Sequence, residues 1–281
     1  MMAMLRQKET TSASVAIVIP CYRQAHFLGN AIESALAQSV PAAEVIVVDD
    51  GSDDNTSEIA GNYDGVILIR QENRGLAGAR NTGLRAAGSD KIIFLDADDV
   101  LLPRAVAHGL RCFSDYPEAG FVYGAFEEVR GTSRRRKFCG VDDYLDLVRC
   151  NWIGCPATVM FDRCKLLEEG GFDERLGMTE DWDAYLRLSR RYPFAAHPKL
   201  VARYVKHDSN MSNAVEDLKY WIEVVRAKEW ERGLDSEGQR AWHEGIELWR
   251  EAFDPTPRPR KSLVVRAFRK AVRLAGLERS R

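Results

Sequence analysis

Three clusters of acidic residues are the part of this sequence most suited to chemistry. DDGS occupies residues 49–52 and DADD residues 96–99, each directly after an apolar run, and EDWD occupies residues 180–183. Carboxylates gathered in one crevice repel each other, and a bound cation is the simplest reason for such grouping. The alternative is that these residues cap helices and form turns, which is the usual role of Asp after a strand.

The pair Asp96 and Asp98 favours the cation, because two carboxylates at i and i+2 after a strand suit a hard divalent ion. For Asp53 and Asp54 the capping role is favoured. Mg²⁺ keeps much of its shell as water and phosphate oxygen, so one or two protein carboxylates suffice. Such an ion neutralises the charge of a departing nucleotide diphosphate. A further carboxylate can serve as base for an attacking hydroxyl, and direct in-line attack inverts the configuration at the reacting carbon.

The elements that must position these clusters alternate between strand and helix over the first hundred residues. Apolar runs predict strands at residues 15–19, 45–48, 66–69 and 91–95, and helical spacing predicts helices at 27–38, 54–62 and 76–87. We expect Ser52 or Asp53 to cap the second helix. This alternation predicts an α/β fold with a mostly parallel central sheet covered on both faces. The first two clusters then lie at the carboxyl ends of strands, where such sheets bind ligands.

The second half of the chain has a less regular pattern. It predicts helices at residues 103–115 and 180–191 and strands at 121–126, 158–161 and 201–205. The basic stretch RGTSRRRK, residues 130–137, indicates an exposed turn or hairpin. After about residue 215 the pattern becomes helical and rich in tryptophan, and the three prolines of residues 254–260 indicate a linker before a last short helix at 262–277.

Composition narrows the class of protein. The 281 residues carry a formal net charge of −2, which gives no reason to expect nucleic acid as a partner. None of the six cysteines forms a CxxC pair, and no apolar run approaches the roughly 20 residues of a membrane span. We therefore expect reduced thiols in a cytoplasmic protein.

The end of the chain differs in charge from the rest. Residues 258–281 hold nine Lys or Arg and one Glu, so this tail carries about +8 and the remainder about −10. The tail helix at 262–277 has apolar and basic sides, which suits peripheral contact with an anionic membrane. Packing on the rest of the protein, or a disordered basic end, remains an equal alternative.

Five ordered motifs resemble the family-two inverting glycosyltransferases of the GT-A fold, over about residues 15–212. They are VAIVIPCYRQAHFLGNAIESALAQ, EVIVVDDGSDDNT, ENRGLAGARNTGL, KIIFLDADDVLLP and GGFDERLGMTEDWDAYLRL. The resemblance implies a GT-A-type nucleotide-binding sandwich, a nucleotide-diphospho-sugar donor (UDP-linked by preference), and Mg²⁺ or Mn²⁺. It also implies a flexible segment 1–14, a catalytic domain 15–215 with a nucleotide-binding half 15–100 and an acceptor half 101–215, and a helical extension 216–281.

The resemblance implies roles on the donor side of the site. Tyr22 would stack on the nucleotide base and Asp50 would hydrogen-bond it. Asp96 would approach the ribose or the metal. Arg80 and Asn81 would lie near the donor, although each could equally fix its helix to a loop. The family often has Asn where Arg23 follows the tyrosine, and this departure would change the surface of the loop.

It implies further roles around the reaction centre. Asp98 would bind the metal, and His207 stands where some members place a late metal-binding histidine, with a structural role equally open. Asp181 would be the catalytic base, and Glu180 would orient the acceptor or Asp181. The acceptor would be a hydroxyl of a sugar or a lipid-linked precursor, as in polysaccharide or glycolipid assembly.

Other interpretations stay open at this point. The chain could be a non-catalytic nucleotide-sugar-binding or scaffold module, or a nucleotidyltransferase, although PCYRQ after the first strand lacks the glycine-rich phosphate loop of the latter. Trp152 and Trp182 could stack on sugar rings, but Trp182 lies on an apolar helix face and core packing is favoured for it. Gly170 and Gly171 could form a tight turn near the acceptor or simply end a helix.

Overall fold

The computed structural model describes residues 13–253. Its strands are β1 (Val15–Cys21), β2 (Glu44–Asp49), β3 (Val66–Arg70), β4 (Lys91–Phe94), β5 (Val100–Leu101), β6 (Phe121–Arg130), β7 (Ser133–Lys137), β8 (Val159–Asp162) and β9 (Phe194–Val205). Its helices are α1 (Ala25–Leu36), α2 (Thr56–Gly61), α3 (Gly75–Ala86), α4 (Ala105–Asp115), α5 (Tyr144–Arg149), α6 (Arg163–Glu168), α7 (Glu180–Ser189), α8 (Val215–Glu231) and α9 (Ser236–Phe253). The predicted linker at 254–260, the tail helix at 262–277 and nearly all of segment 1–14 lie outside the described residues.

The first four strands form the parallel part of the sheet that the sequence predicts. They lie side by side in the order β3-β2-β1-β4, each parallel to its neighbour. All seven residues of β1 are buried, since helices cover this part of the sheet on both faces. The carboxyl ends of β1, β2 and β4 therefore meet at one edge, where residues 22, 50 and 96–99 follow them.

Beyond β4 the sheet is mixed, so the parallel arrangement that the alternation predicted holds for the first half and not for the second. β8 runs antiparallel to β4 and to β6, whereas β6 and β9 are parallel with an irregular register near Gly124. The basic stretch forms the predicted hairpin, with β7 antiparallel to β6. The carboxyl ends of β6 and β9 lie at the same edge as those of β1, β2 and β4. There β5, which follows the β4 loop, pairs with the end of β9.

The prediction that Ser52 or Asp53 caps α2 is wrong. The Ser52 hydroxyl accepts a hydrogen bond from the Arg23 backbone N–H at 3.0 Å, and Asp53 forms an exposed ion pair with the Arg23 guanidinium at 2.8 Å. Asn55 occupies the N-cap position without a side-chain capping bond, and the Asp54 Oδ1 accepts from the Thr56 backbone N–H at 3.1 Å. Ser52 and Asp53 thus hold the loop after β1, next to Tyr22.

The sheet separates two apolar cores. One lies under α1, α2 and α4, and the other lies between the sheet and α3 with α5 to α9. Trp182 is 1% exposed in the second core and its indole N–H donates to the Leu147 carbonyl at 2.9 Å, so the core role favoured for it is confirmed. None of the helices within residues 13–253 combines the length and apolar character needed to cross a bilayer.

Candidate active site

The loops after β1 and β2 form one corner of the sheet edge where the carboxyl ends of β1, β2 and β4 meet, which is the expected ligand crevice. Tyr22 is 41% exposed, and the Arg23 guanidinium lies 5.1 Å from the centroid of its ring. Asp50 is buried, and its Oδ1 accepts from the Gln71 side-chain amide at 2.6 Å and from the Arg74 backbone N–H at 2.9 Å. The corner therefore combines a partly exposed aromatic ring with a carboxylate whose position is fixed by two donors. We call Tyr22, Asp50, Gln71 and Arg74 the donor corner, after the sugar donor that the sequence resemblance predicts there.

The loop after β4 forms a second corner with the end of β9. The Asp98 Oδ2 lies 2.9 Å from the His207 Nε2 and 3.2 Å from the Asn210 Nδ2. The His207 ring stacks on Phe27 of α1 at 4.6 Å between centroids. Burial and the nearby Asp96 carboxylate raise the pKa of Asp98, although His207 lowers it. Residues 109 positions apart thus converge, and we call this the Asp98 corner.

Asp99 has a structural place beside them. It is fully enclosed, and its carboxylate accepts from the Val205 backbone N–H at 3.1 Å and from the Cys155 thiol at 3.7 Å. Burial and the charges of Asp98 and Asp96 raise its pKa well above the ordinary value. Asp99 therefore ties the β4 loop to β9. Neither Cys155 nor Asn210 was predicted, because neither belongs to a recognisable motif.

Arg80 of α3 connects the β4 loop with α7. Its side chain is 1% exposed, its Nη2 donates to the Asp96 Oδ1 at 2.7 Å, and its Nη1 donates to the Glu180 Oε1. Its guanidinium also lies 5.6 Å from the centroid of the Phe172 ring. One buried cation therefore pairs with carboxylates from both halves of the fold, which offsets the repulsion between them.

Glu180 and Asp181 begin α7. Burial raises the pKa of Glu180 to about 7, even though Arg80 lowers it. Burial also raises the pKa of Asp181, while Arg80, the Trp182 backbone N–H and the Asn151 side chain lower it. The Asp181 Oδ1 accepts from the Trp182 N–H at 2.7 Å. Because a raised pKa strengthens a carboxylate as a base, both groups suit proton transfer.

The turn before α7 is held by α8. Thr179 has φ of 62°, a left-handed conformation that is costly for a β-branched residue. Its hydroxyl lies 2.6 Å from the Met178 carbonyl and 3.3 Å from the Trp221 carbonyl of α8. A Cβ at Gly177 would lie 2.8 Å from the Trp221 ring. The helical extension therefore supports the turn that aims Glu180 and Asp181.

Asn81 lies next to Arg80 but points to a loop. Its amide donates to the Phe172 carbonyl at 2.8 Å and to Glu174 at 3.0 Å, and its Oδ1 accepts from the Phe172 N–H at 2.8 Å. These contacts match the alternative in which Asn81 fixes its helix to a loop. Gly171 lies next to Asn81 and follows α6. It has φ of 68°, its N–H donates to the Leu166 carbonyl, and a Cβ there would lie 2.5 Å from the Asn81 Oδ1. These features agree with the alternative in which this glycine ends a helix.

Trp152 packs against the second core. It is partly buried there, and its indole N–H donates to the Asp146 carbonyl at 2.8 Å. The sugar-stacking role remains a prediction for this residue.

The Asp98 corner bears on the predicted metal. Across residues 13–253 there is no group of three or more His, Cys, Asp or Glu side chains arranged to hold a metal ion. Asp98 and His207 nonetheless bring an oxygen and a nitrogen ligand together, and Asp96 gives one carboxylate oxygen to Arg80. Such a pair fits a hard divalent ion that takes its other ligands from a diphosphate and water. It does not fit an ion that needs a complete protein cage.

Comparison with known proteins extends these observations. A family model described as Glycosyl transferase family 2 matches residues 16–168, and one described as Glycosyltransferase like family 2 matches residues 152–243. Chondroitin synthase of Escherichia coli is 31% identical over 220 residues, which are 73% of this chain and 31% of that protein. Poly-beta-1,6-N-acetyl-D-glucosamine synthase of Staphylococcus aureus (strain COL) is 28% identical over 62% of this chain and 46% of that protein.

The chain spans about a third of the length of several such relatives. A glycosyltransferase of Rickettsia felis, for example, is 27% identical over 72% of this chain and 36% of its own length. Solved structures share the fold: S. aureus TarS 1–349 in complex with UDP-GlcNAc has a TM-score of 0.71 at 17% identity, over 94% of this chain and 83% of that one. The mannosyltransferase PcManGT from Pyrobaculum calidifontis, in complex with GDP-Man and Mn²⁺, has a TM-score of 0.59 at 18% identity, over 95% of this chain and 85% of that one.

Proposed function

Because the chain belongs to glycosyl transferase family 2, we propose that it moves a sugar from a nucleotide-diphospho-sugar to an acceptor hydroxyl with inversion at the anomeric carbon. The observation that carries this proposal is the pairing of Arg80 with both Asp96 and Glu180. It sets the strand-end acidic residues and the start of α7 on one crevice, so that a donor and a base can face each other. Two of the relatives are named as polysaccharide synthases, which supports an acceptor in polysaccharide or glycolipid assembly.

The donor corner suits a uracil base. A carboxylate accepts the ring N–H of uracil, and Asp50 is held in place by Gln71 and Arg74 for such a bond. The exposed ring of Tyr22 offers a face on which a base can stack. Structures with UDP and UDP-GlcNAc among the neighbours of this fold support a UDP-sugar as donor.

We assign the Asp98 corner to a divalent ion, Mg²⁺ or Mn²⁺, with Asp98 and His207 as its protein ligands and with Asp96, held by Arg80, next to the ion or the ribose. When bound, such an ion neutralises the charge that builds on the diphosphate as it leaves. Asp98 is mostly buried beside Asp96, so a cation there also relieves the repulsion between the two carboxylates. The complex of PcManGT with Mn²⁺ supports this assignment.

Asp181 acts as the base in this mechanism. The acceptor oxygen forms a bond to the anomeric carbon while the bond from that carbon to the diphosphate breaks, and the hydroxyl proton passes to Asp181. The electron pair of the broken bond leaves with the nucleotide diphosphate. Glu180 is engaged by Arg80 and therefore positions Asp181 and the acceptor rather than taking the proton. Asn151 and the Trp182 N–H orient the Asp181 carboxylate.

The test separates donor binding from transfer. A panel of UDP-, GDP- and CDP-sugars with Mn²⁺ should raise the unfolding temperature for the true donor, because a ligand that binds only the folded state stabilises it. Transfer to an acceptor panel, followed by NMR of the product, should show the opposite anomeric configuration to the donor. Retention of configuration would contradict the single displacement. The absence of stabilisation by every nucleotide sugar would contradict the function itself, and would leave a scaffold role.

A further inference from the structure

The hairpin of β6 and β7 carries four exposed arginines. They are Arg130, Arg134, Arg135 and Arg136. The motif plays no part in the proposed chemistry of donor, metal or base. Like charges on a two-stranded ribbon repel, which is unfavourable unless they meet an anion.

The two faces of the hairpin differ. Glu128 pairs in register with Arg135 on one side and with Tyr204 of β9 on the other, so the three side chains share a face. Arg130 follows Glu128 by two residues and lies on that face as well. Lys206 adjoins it, since its amine lies 5.2 Å from the centroid of the Tyr204 ring. We call Arg130, Arg135 and Lys206 the basic face.

The basic face leads directly to the Asp98 corner. The Tyr204 hydroxyl lies 3.0 Å from the Ser212 hydroxyl, to which the Lys206 amine donates at 3.2 Å. Lys206 immediately precedes His207, and its backbone N–H donates to the Val129 carbonyl near the tip of the hairpin at 2.8 Å. A molecule lying on the basic face would therefore reach the crevice where transfer takes place.

In the part of the chain that the structure describes, the two arginines of this face have no carboxylate partner, whereas the arginines of the opposite face have partners. Within residues 13–253, no ion pair or hydrogen bond engages the guanidinium of Arg130 or Arg135. The carboxylate of the face, Glu128, pairs with Lys137 at 3.6 Å. On the opposite face Arg134 pairs with Glu127 at 3.2 Å, and Arg136 donates to the Pro198 carbonyl.

We propose that the basic face binds an acceptor chain that carries anionic groups at intervals along its length. This inference rests on the proposed glycosyl transfer and names the class of its acceptor. Arg130 and Arg135 are diagonal across the hairpin, with Cβ atoms somewhat less than roughly 7–8 Å apart, so their guanidinium groups can reach two neighbouring anions along a chain. Guanidinium groups bind carboxylate and phosphate in the same forked geometry, so both kinds of anionic chain fit.

A membrane surface fits the hairpin less well. The tip, residues 131–133, is Gly-Thr-Ser, and none of the large exposed apolar side chains of the described chain lies on β6 or β7. A segment that inserts into a lipid interface needs apolar anchors in addition to charge. The hairpin has charge without anchors, as expected for a solvated polyanion.

The experiment compares two double variants of equal charge. Arg130→Gln/Arg135→Gln removes two charges from the basic face, and Arg134→Gln/Arg136→Gln removes two from the opposite face as the matched control. The probes are inorganic polyphosphate, polygalacturonate and vesicles of phosphatidylglycerol with phosphatidylcholine, each titrated into the full chain at low and high salt. UDP binding with Mn²⁺ is measured in parallel by thermal unfolding.

We expect the wild type to bind both polymers at low salt and to release them at high salt. The basic-face variant should lose about tenfold in affinity, and the control less than about twofold, because only the former contacts the polymer. UDP binding should stay the same in all three proteins. If a double variant fails to fold, the single variants Arg135→Gln and Arg134→Gln provide the same comparison.

Three results would overturn the proposal: equal losses in both variants, no polymer binding by the wild type at low salt, or vesicle binding that depends on Arg130 and Arg135 while polymer binding does not. Failure of the wild type to bind any nucleotide with Mn²⁺ would instead count against glycosyl transfer. Polymer binding needs no nucleotide, so the two failures are distinguishable.

Discussion

The donor corner and the Arg80 junction are built in different ways. Asp50 is held by neutral donors from residues 71 and 74, which lie close to it in the chain and on the neighbouring loop. Arg80, by contrast, pairs with Glu180 at a separation of 100 residues, and Asp98 meets His207 at a separation of 109. The donor corner therefore takes its residues from the parallel half, whereas the proposed reaction centre takes residues from both halves.

The largest effect is expected at the Asp98 corner. Asp98→Ala should abolish transfer and remove the Mn²⁺-dependent tightening of UDP, because Asp98 is the carboxylate on which His207 and Asn210 converge. Calorimetric titration of UDP with and without Mn²⁺ measures this. Asp64→Ala, which removes an exposed carboxylate in the turn before β3, is the matched control and should behave as wild type. Wild-type turnover by Asp98→Ala with Mn²⁺ would refute the metal assignment.

Substitution of the base should separate binding from transfer. Asp181→Asn keeps the size of the side chain but cannot accept the proton, so transfer should fall by about a hundredfold or more. The affinity for UDP should change little, since the donor corner lies in the other half. Single-turnover transfer and UDP titration measure the two quantities. An unimpaired variant would show that another group takes the proton.

Removal of the buried cation should affect stability as well as activity. Arg80→Met leaves Asp96 and Glu180 facing each other without compensation, and we expect it to lower the free energy of unfolding by about 3–5 kcal/mol. Arg85→Met on the exposed side of the same helix should change it by less than about 0.5 kcal/mol. Urea denaturation of both variants measures the difference. Equal stability of the two would mean that the halves do not depend on Arg80.

The smallest effect is expected at the donor corner. Asp50→Asn keeps the shape of the side chain but removes its charge, so UDP affinity should fall by about tenfold, as for the loss of one charge-assisted hydrogen bond. The rate at saturating donor should stay near the wild-type value. Asp64→Asn, at an exposed position in the turn before β3, is the control. A large fall in the rate without a fall in affinity would move Asp50 into the reaction centre and remove the contrast between the two regions.

The same contrast explains which parts of the fold could be predicted. Strands β1, β2 and β4 are buried on both faces, and the edge strand β3 is apolar although largely exposed. All four therefore read as continuous apolar runs, and their positions agree with the prediction to within a few residues. β9 is twelve residues long, but its middle is exposed and polar, and only its end was predicted. α5 and α6 have six residues each, which is too short for helical spacing to stand out.

The site could be predicted as a set of residues but not as a network. Asp96, Asp98 and Asp181 stand in motifs that can be read along the chain. The double pairing of Arg80 cannot be read there, because nothing in a helical segment shows that an arginine is fully buried between two distant carboxylates. Cys155 and Asn210 were missed for the same reason: their partners, Asp99 and Asp98, are more than fifty residues away.

The contact of α8 with the turn before α7 limits how this protein can be recombined with others. A chimera that joins its residues up to about 215 to a foreign carboxyl-terminal segment would keep every motif of the catalytic half. It would lose Trp221, against which Gly177 packs and to which the strained Thr179 is held. Grafts that exchange acceptor specificity should therefore carry α8 together with residues 177–183 as one transferable unit.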